Sequence, residues 1–108
     1  MNIETREKDG TILVTLSGEV DLSHSAALRK RLMELMFERR NVVVDMAAVT
    51  YVDSSGIAGL VEAYQMARKS NTRFTLAAVS DPVRRVLQLA RLDRVFTLVD
   101  SVEAALKG

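Results

Sequence analysis

Polar and apolar residues alternate along positions 11–17, with Ile12, Val14 and Leu16 on one face and Leu13, Thr15 and Ser17 on the other. A period of two is the mark of a half-buried strand. A weaker segment around Ile3 and Thr5 precedes it, and Asp9-Gly10 between the two is a turn dipeptide, so the chain opens on a hairpin. The period then changes. Leu28, Leu32, Leu35 and Met36 fall at i, i+4, i+7 and i+8 within residues 25–39, while Arg29, Lys30, Arg31, Glu34 and Glu38 take the remaining positions. That spacing predicts a helix with one buried stripe. Gly18-Glu19-Val20-Asp21 reads as the loop between strand and helix, with Ser23 or Ser25 as the helix cap.

Residues 41–46, Asn-Val-Val-Val-Asp-Met, form a β-branched run with little alternation, as expected of a central strand covered on both faces. The strand is expected to give way at Asp45, the chain turning through Thr50-Tyr51-Val52. Ile57, Leu60, Val61 and Tyr64 mark a second helix that reaches Lys69 and stops at Ser70-Asn71. Residues 73–79 predict another strand, with Phe74, Leu76 and Ala78 on one face. Ser80-Asp81-Pro82 starts a third helix, since proline is tolerated in a first turn, and Val83, Val86, Leu87 and Ala90 give it an apolar stripe. Residues 96–99 predict a last strand, and Asp100 or Ser101 caps a terminal helix holding Val102, Ala105 and Leu106. The order β-β-α-β-α-β-α-β-α predicts an α/β fold. An opening hairpin leads into βα units, giving a mixed sheet of about five strands packed with about four helices. Strands joined by helical crossovers should be parallel.

Composition narrows the function classes. The chain has 108 residues, 48% hydrophobic and 27% charged, which suits a single domain over residues 1–108 with one core. A net charge of +1 gives no global attraction to nucleic acid or to an anionic membrane. Cysteine is absent, which removes disulfides and fits a reducing compartment. The start lacks the basic and apolar regions of a secretory signal, and no apolar run approaches the ~20 residues of a spanning helix. A cytoplasmic protein without membrane insertion is expected.

Catalytic chemistry finds little support. His24 is the only histidine, no G-x-S-x-G elbow surrounds a serine, and a loop or cap role is expected for His24. One histidine without cysteine does not make a usual zinc site. Neither G-x-x-x-x-G-K-[ST] nor G-x-G-x-x-G occurs, so no phosphate loop and no cofactor are expected. Arg29, Lys30, Arg31, Arg39 and Arg40 have little aromatic interleaving and read as a solvated helix face rather than a nucleic-acid footprint, and a second group at Arg84, Arg85, Arg91 and Arg94 is partly balanced by Asp81 and Asp93.

One stretch remains, VDSSGIAGL at residues 52–60. Asp53 or a serine can cap the following helix, and Gly56 permits close backbone approach. The same geometry suits modification. A hydroxyl at a helix N-terminus lies where N–H groups and the dipole favour an anion.

The segment VVVDMAAVTYVDSSGIAGL resembles the STAS domain family, specifically the bacterial anti-sigma factor antagonists. The likeness extends over LSGEVD in the opening hairpin and VRRVLQLARLDRVFTLVDSVEAAL near the end. It implies that a partner anti-sigma factor serine kinase, which supplies ATP, phosphorylates Ser54, and that a serine phosphatase restores the hydroxyl. It also implies supporting roles for Ser55 and Gly56, kinase engagement by the loop residue Asp21, and orientation of the turn by Asp53. Two positions depart from the family pattern: Ser70-Asn71-Thr72 stands where glycine is common, and Ile57 where leucine is usual. Two other readings stay open. One is a STAS subunit docked permanently on another assembly, such as a lipid-transport ABC ATPase, with Ser54 as contact surface. The other is an enzyme or small-ligand binder using a pocket near the motif.

Overall fold

In the computed structural model, which describes residues 1–107, the hairpin forms where the turn dipeptide places it. Strand β1 (Asn2–Lys8) pairs antiparallel with β2 (Thr11–Val20). Asp9 and Gly10 both take positive φ, 52° and 84°, as the tightest two-residue hairpin turn requires. Helix α1 (Leu22–Phe37), strand β3 (Asn41–Val52), helix α2 (Ser54–Ser70), strand β4 (Phe74–Ala77), helix α3 (Asp81–Leu89), strand β5 (Thr97–Val99) and helix α4 (Val102–Lys107) follow. The five strands lie in sequence order across one sheet. From β2 to β5 every pairing is parallel. The expected α/β architecture is the one found.

Several boundaries differ from the expectation, each for a local reason. Strand β3 does not end near Asp45 but runs to Val52, and β2 absorbs Gly18-Glu19-Val20 instead of leaving a loop. Register shifts between Thr15 and Ser17 and between Gly18 and Glu19 put extra residues on β3. Bulges of this kind break the alternation that a strand is recognised by. In β4 all four residues are buried, so Phe74 and Leu76 mark no single apolar face. The strand stops at Ala77, and Ala78 turns out of it at φ 53°. A short 3-10 turn at Leu92–Arg94 precedes β5 and was not anticipated. At the C-terminus, the Ser101 hydroxyl accepts from the Ala104 N–H at 3.1 Å, which selects Ser101 as the capping side chain.

The core is built on paired rows of the sheet. Val14 pairs with Val44, and Val44 with Leu76, and all three are fully buried. Leu28 and Leu32 of α1 and Leu60 and Ala63 of α2 join the same cluster. The helical periods at 28–36 and 57–64 therefore turn their apolar stripes into one core. Asn71 ends α2 in left-handed geometry at φ 59°, a conformation asparagine adopts more readily than most residues. Its presence where glycine is common leaves the turn intact.

Leu76 has no accessible surface, so Leu76→Ala should cost about 2–5 kcal/mol. A urea unfolding midpoint that falls while the slope stays constant is the expected result.

Candidate functional site

Val20 and Val52 are the last residues of β2 and β3 and lie opposite each other in the sheet. The chain therefore begins α1 and α2 side by side at the carboxyl ends of adjacent parallel strands. The two helix starts are chemically alike. Asp21 Oδ1 accepts from the Ser23 N–H at 3.1 Å and the Ser23 hydroxyl at 2.6 Å. Asp53 Oδ1 accepts from the Ser55 N–H at 3.0 Å and the Ser55 hydroxyl at 2.6 Å. An Asp-x-Ser cap is used twice.

The third residue after each aspartate separates them. In α1 it is His24, whose Nδ1 lies 2.8 Å from Asp21 Oδ1. In α2 it is Gly56, whose N–H donates to Asp53 Oδ1 at 3.1 Å. A β-carbon at residue 56 would stand 2.8 Å from Val20 Cγ1 and 2.9 Å from the Val20 carbonyl oxygen. Real β-carbons do not approach backbone that closely, so the start of α2 rests on the end of β2 only because residue 56 is glycine. The Asp53 N–H completes the attachment by donating to the Val20 carbonyl at 3.2 Å.

Both carboxylates are held below their ordinary range. For Asp53 the Ser55 hydroxyl is the largest cause, followed by the Gly56 N–H, with smaller help from the Ser55 and Leu22 N–H groups, against partial desolvation. For Asp21 the Ser23 hydroxyl leads, and the hydrogen bond and charge of His24 add to it, again against desolvation. Hydrogen bonds to the charged form favour that form. The Leu22 N–H lies at the first turn of α1, so the start of one helix adds slightly to the field on the carboxylate that caps the other. Farther along, Arg29 of α1 and Glu62 of α2 form a two-point ion pair at 2.6 and 2.7 Å.

The two serines of the motif thus have different states. Ser55 is committed to the cap. Ser54 is the first residue of α2, is exposed, and forms no side-chain hydrogen bond among the described residues. Its hydroxyl is the spare one. The N–H groups expected to welcome an anion at this helix end are largely taken, because those of Ser55 and Gly56 already donate to Asp53.

Sequence reasoning placed Asp21 in a loop and assigned the α1 cap to Ser23 or Ser25. Asp21 is itself the cap, with Ser23 in the first turn. The repeated Val-Asp-x-Ser at residues 20–23 and 52–55 was the available signal. Sequence reasoning also missed two exposed apolar side chains beside the caps, Leu22 at 77% and Tyr51 at 50% accessibility. Among the described residues no cluster of His, Asp or Glu has a metal-binding arrangement, and no helix is long and apolar enough to cross a membrane.

Residues 2–105 match the sequence pattern of the STAS domain. An anti-sigma F factor antagonist of Paenibacillus polymyxa is 26% identical over 108 residues, covering 98% of this chain and 92% of the relative. The anti-sigma-F factor antagonist RsfB of Mycobacterium tuberculosis is 27% identical, covering 100% and 88%. The crystal structure of an anti-sigma factor antagonist from Mycobacterium paratuberculosis superposes with a TM-score of 0.90 at 28% identity, covering 98% of this chain and 91% of that one.

Gly56→Ala should destabilise the domain by about 1–3 kcal/mol through overpacking. Gly59→Ala should be neutral or stabilising, since its added methyl would meet nothing closer than 3.7 Å and glycine weakens a helix interior. Thermal unfolding of the two variants reads this contrast. The depressed carboxylates of Asp21 and Asp53 add stability that is fully present above about pH 4–5 and is lost as pH falls through their folded-state values. Asp53→Asn should therefore flatten the acid limb of the stability profile between about pH 5 and pH 2, measured as urea midpoint against pH.

Proposed function

The chain belongs to the STAS domain family, and on that premise we propose that it is an anti-sigma factor antagonist switched by phosphorylation of Ser54. The observation that carries the reading is the unbonded Ser54 hydroxyl, exposed at the first position of a helix whose cap is already complete. A kinase can take this hydroxyl without dismantling the cap. The relatives' names support an anti-sigma factor as the partner.

In the unphosphorylated state the surface around Ser54, Asp21 and the exposed Leu22 and Tyr51 docks the anti-sigma factor, which then releases its sigma factor. Apolar anchors beside a small hydroxyl suit a contact that excludes water. Phosphorylation adds about −1.5 to −2 charges. Asp53 holds the nearby N–H groups, so the phosphate remains at the surface instead of being drawn into the helix end. Against a partner carboxylate at ~7 Å and an effective dielectric near ~20, each like-charge pair opposes docking by roughly 2 kcal/mol. Two such pairs weaken binding about a thousandfold at low salt, and less as salt rises. The partner is an anti-sigma factor serine kinase that brings the ATP, and a serine phosphatase reverses the step. Asp21, Asp53, Ser55 and Gly56 keep the surface in shape.

The test is intact mass after incubation with ATP and the host's anti-sigma-type kinases, with Ser54→Ala alongside. One added phosphate on the wild type and none on the variant is expected, together with kinase binding that Ser54→Asp weakens at least about tenfold. Phosphate retained by Ser54→Ala moves the site. Stable binding to a kinase with no phosphate transferred replaces the switch with permanent docking.

A further inference from the structure

Helix α2 carries Ser54 at one end and a second feature near the other. Tyr64 and Arg68 on its later turns, Arg73, Phe74 and Thr75 at the start of β4, and Thr97 of β5 line a cleft of about 410 Å³ that α4 borders. Fourteen residues of helix separate Ser54 from Arg68, or ~21 Å at ~1.5 Å per residue. The cleft is a separate place from the phosphorylation surface.

Its lining has a definite chemistry. Arg68 and Arg73 line the cleft, no carboxylate does, and neither arginine is ion-paired among the described residues. Elsewhere Arg29 and Arg40 have their carboxylates, Glu62 and Glu7. The Arg68 guanidinium lies 6.0 Å from the centre of the Tyr64 ring. Phe96 packs edge-on against that ring at 5.6 Å, so the aromatic wall is fixed before anything binds. Thr75 is the one buried polar residue among the described residues, at 8% accessibility. Among the described residues its hydroxyl has no hydrogen-bond partner, yet it is not a sealed orphan. Thr75 is among the residues that line the cleft. The volume falls in the lower part of the range of small-molecule sites, ~300–1,000 Å³, which combine apolar walls with a few placed polar groups.

We infer that this cleft binds a small amphiphilic anion, its carboxylate or phosphate head on Arg68 and Arg73 and its apolar body against Tyr64 and Phe74. Guanidinium forks match either oxyanion through paired N–H donors. The Thr75 and Thr97 hydroxyls complete the polar side. Because the cleft lies away from Ser54, ligand binding and phosphorylation are separately measurable on the same protein.

The experiment is amide NMR of the isotope-labelled full chain titrated with octanoate, octyl phosphate and, as neutral control, octanol. Saturable shifts at Thr75 and Thr97 with one or both anions, and none with octanol, are expected. The two anion arms identify the preferred head. Arg68→Gln and Arg73→Gln should each weaken binding about tenfold, their folding verified by unchanged amide spectra away from the cleft. Ser54→Ala should bind as the wild type does. Absence of saturable shifts with both anions, equal shifts with octanol, or undiminished binding by the double glutamine variant would overturn the inference.

Discussion

The Asp53 carboxylate is the contact on which this end of the domain depends. It accepts from the Ser55 hydroxyl and from the Ser55 and Gly56 N–H groups, while the backbone N–H of Asp53 reaches back to the Val20 carbonyl. One residue thus ties the start of α2 to the end of β2, its side chain holding the helix and its backbone N–H the strand. A helix end buried against a sheet needs partners for its free N–H groups. Here those of Ser55, Gly56 and Ile57 are met from within the motif, by the carboxylate and carbonyl of Asp53.

That completeness gives the neighbouring serine its character. Because the Ser55 hydroxyl is held by the capping carboxylate of Asp53, the exposed Ser54 hydroxyl is left without a structural task among the described residues. Gly56 contributes by distance: it lets α2 sit directly on Val20, which keeps the caps of α1 and α2 in one surface. The twin cap on α1 carries Leu22 where α2 carries Ser54. The same local geometry thus presents an exposed apolar side chain on one helix and an exposed hydroxyl on the other. On the proposed function, such a pairing would let a single added charge act on a contact that is otherwise apolar.

Much of this was legible in the sequence. The period-two pattern at 11–17, the turn at Asp9-Gly10 and the helical spacing at 28–36 gave the hairpin, the first helix and the parallel order that follows. Strand ends were less legible for a physical reason. The extra residues of β3 destroy its alternation, so Ala47 and Ala48 resemble a loop although both lie within the strand. Asp21 was misplaced because aspartate and serine both cap helices well, and only the extension of β2 to Val20 decides between them. The difference between Ser54 and Ser55 likewise lies in which hydroxyl meets the carboxylate. The cleft around Arg68 and Arg73 has no motif at all, since its walls come from elements distant in the chain.

The most direct measurement is the pH titration of the phosphorus NMR signal of the protein phosphorylated at Ser54. If Asp53 keeps the N–H groups of α2, the phosphate stays outside the cap beside two carboxylates. Its second ionisation should then fall at or above the ~6 of a free phosphoserine, with the amide signals of Ser55 and Gly56 little changed. An ionisation well below that value, with large shifts at those amides, would mean that the phosphate displaces Asp53 and caps the helix itself. That result would contradict the account.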